Sequence, residues 1–182
     1  MIRRAIAAST AVLFLALALP LTANAQSIYV LAGLSVPSSD YGDFADTGWL
    51  GGAGVTIPVG EAGLWAGADL MYGQNSFSSD AVDDNFKLFS AMGILGYDIP
   101  TESSISPYLF AGAGVMSLSN GDSESGFGWQ AGAGVAFAGD SNITPFLEGR
   151  YQSASLGDEG EDATVAIFGI EAGVSIGVGG DN

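Results

Sequence analysis

The chain contains no cysteine and no histidine, and only four of its 182 residues are basic. Without cysteine there is no disulfide framework and no thiolate metal site. Two of the basic residues, Arg3 and Arg4, stand at the start, so Lys87 and Arg150 are the only basic side chains after residue 25, against 20 acidic ones. This excess of negative charge repels phosphate backbones and excludes nucleic acid as a partner.

The first 25 residues have the pattern of an export signal. Arg3 and Arg4 form a basic start, residues 11–21 form an uncharged apolar run, and Ala23-Asn24-Ala25 places small residues before Gln26. This order is typical of a secretory signal peptide, which is removed from the mature protein. The sequence therefore predicts a signal peptide at residues 1–25 and one domain at residues 26–182.

The rest of the chain lacks a long helical period and instead alternates apolar and small residues in short stretches. A tilted membrane-spanning strand needs about 9–11 residues, and most of these stretches are long enough. The pattern predicts eight strands, at residues 28–36, 48–57, 64–72, 86–97, 107–118, 128–138, 145–153 and 164–178.

The connections between these strands alternate in character. Longer polar connections are expected at residues 38–47, 73–85, 119–127 and 154–163, and tighter ones at 59–63, 100–106 and 139–143. Long outer loops that alternate with short inner turns are typical of a transmembrane barrel. The longer connections hold most of the acidic residues: Asp40, Asp43, Asp46, Asp80, Asp83, Asp84, Asp122, Glu124, Asp158, Glu159, Glu161 and Asp162.

Alternate residues of a strand face opposite sides, and here one set is apolar while the other is rich in glycine. The mid-strand charges Asp69, Glu148, Arg150 and Glu171 all fall in the glycine-rich set. A basic residue at the lipid midplane costs about 2–4 kcal/mol, so the apolar set is expected to face outward. The sequence predicts an all-β fold, an eight-stranded antiparallel up-and-down transmembrane β-barrel. The alternative is a soluble periplasmic ligand-binding barrel, which needs the reverse arrangement, with apolar residues inside and charged residues outside.

Two groups of residues are candidates for a functional site. Asp69, Glu148, Arg150 and Glu171 are expected to meet in the lumen, either as an ion-pair network that fills it or as a narrow ion path. Two acidic loop clusters offer oxygen ligands for divalent cations that bridge to lipopolysaccharide, although neither matches a defined calcium loop. These clusters comprise Asp80, Asp83 and Asp84 in one loop, and Asp158, Glu159, Glu161 and Asp162 in another.

The residues argue against catalysis. A serine nucleophile needs an adjacent base, histidine is absent, and Lys87 lies near a loop end. The Gly-Ala-Gly-Val repeats at residues 52–55, 112–115 and 132–135 lack the following lysine and helix of a phosphate-binding loop. We predict a protein that is not an enzyme and that uses no cofactor or resident metal.

Several segments resemble the small outer-membrane β-barrel family of the OmpA, OmpX and opacity-protein type. Gly96-Tyr97-Asp98-Ile99 followed by residues 106–115 is similar to its Tyr-Asp strand end and Pro-Tyr strand. Residues 129–135 and Gly149-Arg150-Tyr151 resemble later strands. The chain departs from the family at its end, where Gly177-Val178-Gly179-Gly180-Asp181-Asn182 lacks the usual terminal aromatic residue.

The resemblance implies a location in the outer membrane of a Gram-negative cell. We expect a monomer with a structural or surface-interaction role, in contact with outer-membrane lipid and lipopolysaccharide through its acidic loops. A small porin-like channel for ions or small solutes is the alternative function.

Overall fold

A computed structural model describes residues 26–77, 85–120, 122–139, 141–156 and 163–178. The predicted signal peptide lies outside the described residues. No helix among the described residues is long and apolar enough to cross a membrane. The described part contains a short 3-10 helix, Ser39–Asp43, and eight strands: β1 (Gln26–Ser38), β2 (Gly48–Pro58), β3 (Leu64–Ser76), β4 (Asn85–Asp98), β5 (Ile105–Asn120), β6 (Asp122–Phe137), β7 (Ile143–Leu156) and β8 (Ala163–Val178).

Each strand pairs antiparallel with the next, and β8 pairs with β1, so the sheet closes into an up-and-down barrel. Closure leaves no edge strand with unpaired backbone N–H and C=O groups. Lipid requires this because it contains no water to hydrogen-bond such groups. We call the end with residues 59–63, 99–104 and 138–142 the turn end, and the opposite end the loop end. Short turns face the periplasm in such barrels, which places the loop end outside. The predicted fold class is confirmed.

The strands extend further toward the loop end than the sequence pattern predicts. β3 reaches Ser76 and β7 reaches Leu156. The predicted long loop at 119–127 is wrong, because β5 and β6 pair there from Val115↔Phe127 to Asn120↔Asp122. Serine residues alternate through this hairpin, and the hydroxyls of Ser117 and Ser123 lie 3.0 Å apart across it. Asp122 and Glu124, expected in a loop, therefore belong to β6.

The two faces of the strands are as the alternation predicts. The outward faces of β2, β3 and β5–β8 carry the apolar set, and the most exposed large side chains include Phe127 (71%) and Leu95 (67%). Near the loop end, Trp49 packs on Tyr72 with ring centroids 5.7 Å apart. An aromatic girdle around an apolar band is typical of lipid contact and excludes the soluble-barrel alternative.

Large rings fill the turn-side half of the lumen by lying over glycines. Each ring belongs to an odd-numbered strand, and the glycine is its direct cross-strand partner on the next strand. A Cβ atom on any of these glycines would collide with the ring. The barrel interior is only just wide enough for side chains, so the absent Cβ provides the space. The pairs are Tyr29/Gly54, Trp65/Gly96, Phe110/Gly132, Tyr108/Gly134 and Phe146/Gly173.

Candidate functional site

Arg150 of β7 is the centre of a buried polar layer halfway along the lumen. Its Nη1 lies 2.6 Å from Asp69 Oδ2, its Nη2 lies 2.7 Å from Glu148 Oε1, and its Nε lies 3.3 Å from Glu171 Oε2. The guanidinium also lies over the Phe110 ring, 5.0 Å from the centroid. The structure thus brings together all four charges that the sequence places in the inward set.

Further polar side chains complete this layer. Gln130 Oε1 accepts hydrogen bonds from Arg150 Nη1 (3.0 Å) and Gln152 Nε2 (2.8 Å). Gln130 Nε2 donates to Asp69 Oδ2 at 3.1 Å. We call the layer the lumen network and define it as Tyr29, Asp69, Ser90, Tyr108, Gln130, Glu148, Arg150, Gln152 and Glu171.

Two tyrosines, two glutamines and one serine of the lumen network were not among the predicted site residues. The Tyr108 hydroxyl donates to Glu148 Oε2 at 2.7 Å, and the Tyr29 hydroxyl donates to Asp69 Oδ2 at 3.4 Å. Ser90 Oγ accepts from Gln152 Nε2 at 3.3 Å. Gln130 and Gln152 could have been identified from the sequence, because both are polar residues of the predicted inward set.

A cavity of about 390 Å³ opens at the turn end of the barrel. Glu148 and Arg150 of the lumen network line it, together with rings such as Trp65 and Phe146. Trp65 Nε1 donates to Asp98 Oδ1 at 3.1 Å at its rim. The lumen network is therefore reachable from the periplasmic side through this cavity.

The loop end of the lumen is closed by the 3-10 helix. Tyr41 of this helix is fully buried, and its ring packs edge-on against Phe86 of β4, with centroids 5.4 Å apart. Asn75 Nδ2 donates to the backbone oxygens of Ser35 (3.1 Å) and Asp46 (2.9 Å), which lie on either side of the 3-10 helix in the sequence. These two hydrogen bonds hold the segment that contains the helix in place. Burial raises the pKa of the Tyr41 phenol, whose oxygen has no hydrogen-bond partner among the described residues.

The predicted loop ligands for cations lie outside the described residues. These are Asp80, Asp83, Asp84, Asp158, Glu159, Glu161 and Asp162. Within the part of the chain that the structure describes, no group of three or more acidic side chains is arranged to hold a metal ion. At the loop end, the described acidic residues Asp40, Asp43, Asp46 and Glu124 are exposed.

The solved structures that share this architecture include three outer-membrane barrels. Neisserial surface protein A is 22% identical, with a TM-score of 0.68, over 83% of this chain and 96% of that one. OprG from Pseudomonas aeruginosa is 14% identical, with a TM-score of 0.52, over 85% and 97%. The outer membrane enzyme PagL is 18% identical, with a TM-score of 0.51, over 84% and 99%. At these identities the likeness shows the fold alone.

No curated protein matches the sequence. The model of one family, the outer membrane protein β-barrel domain, matches residues 8–177. That match covers nearly all of the chain and agrees with the closed barrel, its apolar outer band and its aromatic girdle. The protein therefore belongs to the outer membrane protein β-barrel domain family and is located in the outer membrane.

Proposed function

We propose that this protein is a non-enzymatic, non-conducting barrel that acts at the cell surface through its loop end. The observation that carries the proposal is the closure of the lumen at two levels. Tyr41 and the rings around it fill the loop end, and the lumen network fills the middle. The turn-side half contains the cavity of about 390 Å³.

Transport is the less favoured function because the described side chains at both levels are tightly packed and buried. Eight strands enclose just enough room for side chains. Arg150 is 2% exposed and held by three carboxyl groups, so its side chain fills the centre of that room. A porin-like channel would require both the network and the Tyr41 contacts to rearrange.

Enzymatic activity is disfavoured by the residues and not by the fold. PagL is an enzyme with a similar barrel, and one fold hosts many functions. This chain has no histidine to activate a serine. Two of the buried serines, Ser35 and Ser90, are hydrogen-bonded to the amides of Asn75 and Gln152, and an amide cannot act as a base.

Lipopolysaccharide bridged by divalent cations is the proposed contact of the loop end. Asp40, Asp43, Asp46 and Glu124 make this end acidic, and the predicted loop clusters add to the charge. Lipopolysaccharide is itself anionic, so a direct contact would be repulsive. Divalent cations bind carboxylate and phosphate oxygens together, which makes them suitable bridges.

The test is a conductance measurement in asymmetric bilayers with lipopolysaccharide in one leaflet. We expect no steady current steps, no acyl chains released from the lipid by mass spectrometry, and thermal stability that rises with Mg²⁺ and falls with a chelator. The matched variant combines Tyr41→Ser with Arg150→Ser and should leak if it still migrates as a folded barrel before boiling. Steady wild-type channels would favour the porin-like alternative, and released acyl chains would establish an enzyme.

A further inference from the structure

The lumen network contains more negative than positive charge. One guanidinium, that of Arg150, contacts the carboxyl groups of Asp69, Glu148 and Glu171, and all four side chains are buried. The other basic residue of the barrel domain, Lys87, is exposed near the loop end. Full ionisation would therefore leave two buried negative charges without a counter-charge. Burying an unpaired charge is costly, and groups in that position become neutral instead.

The three carboxyl groups differ in how well they are satisfied. Asp69 Oδ2 accepts hydrogen bonds from three donors while Asp69 Oδ1 has no partner among the described residues, and both oxygens of Glu148 accept at least one. Neither oxygen of Glu171 has a hydrogen-bond partner among the described residues, although the residue is only 1% exposed. The uncompensated charge therefore concentrates on Glu171.

Glu171 lies beside a carboxyl group that can share its proton. Glu148 and Glu171 are direct cross-strand partners on β7 and β8. Arg150 Nε is 3.3 Å from Glu148 Oε1 and also 3.3 Å from Glu171 Oε2. Like charges opposite each other destabilise a sheet, whereas two adjacent carboxyl groups that hold one proton between them do not repel.

We propose that Glu148 and Glu171 form a proton-binding site that holds one proton at neutral pH and exchanges it with the turn-end cavity. The proton resides on a Glu171 oxygen, which donates to the Glu148 carboxylate. This arrangement gives Glu171 a hydrogen-bond partner and leaves two carboxylates, Asp69 and Glu148, facing one guanidinium.

Exchange is one-sided because the surroundings of the pair differ along the barrel axis. Glu148 lines the turn-end cavity, whereas Leu50, Leu88 and Met92 fill the lumen toward the loop end. The inward residues of β2 are not titratable, and the titratable residues of inward parity on β4 and β6 lie at strand ends, Asp98 at the rim of the cavity and Glu124 near the loop end. The charged or titratable groups that face the pair are Tyr29 of β1, Asp69 of β3, Tyr108 of β5 and Arg150 of β7.

The test is the pH dependence of unfolding in phospholipid vesicles between about pH 6 and 8, where exposed carboxyl groups are ionised in both states. The unfolded chain has released this proton in that range and the folded barrel has kept it, so stability falls as pH rises. We expect the unfolding equilibrium constant of the wild type to increase up to about tenfold per pH unit. Glu171→Gln should lose that slope, and Glu124→Gln, an exposed change on β6, should keep it.

Infrared spectroscopy gives a second readout that does not depend on the variant folding. The wild type should show the carbonyl stretch of a protonated carboxyl group, which shifts in D₂O and disappears as pH rises. A slope or band lost in Asp69→Asn but kept in Glu171→Gln would overturn the assignment. A second result would also overturn it: the barrel is more stable in Na⁺ than in a bulky organic cation at the same ionic strength, and its stability does not depend on pH. A metal cation, and not a proton, would then occupy the site.

Discussion

The two halves of the lumen are filled in different ways, although the same alternation of inward and outward residues builds both. The loop-side half is filled by aliphatic and thioether side chains that are at most 2% exposed. The turn-side half is filled by aromatic rings that lie over glycines and leave a cavity. The loop-side residues are Leu50, Leu88, Met92, Met116, Leu156 and Ile167.

The difference shows that composition within one face decides whether a narrow barrel is sealed or open. Branched and flexible side chains interdigitate from several strands and exclude water. Rings stacked on glycines occupy the wall and leave the axis free. The lumen network lies between the two halves, so it meets an apolar seal on one side and an open cavity on the other.

The largest effect is expected from truncating the loop-side seal. Leu88→Ala removes a 2%-exposed side chain and leaves a cavity, which costs about 3–5 kcal/mol of the free energy of unfolding. Leu95→Ala, on the lipid-facing side of the same strand, forms no cavity because lipid chains fill the space, and it should cost about 1–2 kcal/mol. Urea unfolding in vesicles measures both values. Equal losses would mean that the loop-side half is not tightly packed.

An intermediate effect is expected from filling a glycine under a turn-side ring. Gly134→Ala places a Cβ atom against the Tyr108 ring and displaces the hydroxyl that donates to Glu148, at a cost of about 1–3 kcal/mol. Gly93→Ala is the matched control, since its Cβ would meet only one atom, at 3.8 Å. It should change stability by less than about 0.5 kcal/mol. If Gly93→Ala destabilises the barrel as much as Gly134→Ala does, then the collision with the Tyr108 ring is not the cause of the loss.

The smallest effect is expected at the plug itself. Tyr41→Phe removes a buried hydroxyl with no partner among the described residues, so it should be neutral or stabilising by up to about 1 kcal/mol at pH 7. Because burial raises the pKa of Tyr41, the folded state keeps a proton that the unfolded chain loses above about pH 10, and wild-type stability should fall there. The variant should fall less steeply in alkaline urea titrations. Identical alkaline profiles would show that the phenol is accessible to water.

The sequence predicts the strand faces where the two residue sets differ in polarity. In β3, β7 and β8 the charges Asp69, Glu148, Arg150 and Glu171 identify the inward side. In β1 and β4 both sets are largely apolar, so alternation alone does not separate Leu31 from Val30, or Leu88 from Phe89. Closure of the sheet decides those faces, because Leu31 and Leu88 are buried while Val30 and Phe89 are exposed.

The candidate site was predictable in its charges but not in its connections. That four charged residues share the inward set follows from their parity along the strands. That they meet at one level depends on the register between β3, β7 and β8 and on the width of the barrel. The participation of Tyr29 and Tyr108 in the network could not be predicted for another reason. A tyrosine in an inward set is equally consistent with a side chain that only fills space.

Two features at the loop end could not be predicted from alternation. The β5–β6 hairpin continues with serines, which have no apolar contrast to reveal a strand. The 3-10 helix depends on Ser39, which adopts a positive φ of 56°, and on the distant Asn75. Both depend on hydrogen bonds between segments that are far apart in sequence or carry no hydrophobic period.

The pairing of rings with glycines also has a symmetry. The four hairpins β1–β2, β3–β4, β5–β6 and β7–β8 each place an aromatic ring of the first strand over the directly opposite glycine of the second. The barrel is thus a pseudo-fourfold ring of one repeating hairpin unit. A slip of one residue inside any unit would move its ring to the lipid side, so each hairpin carries its own determinant of strand register.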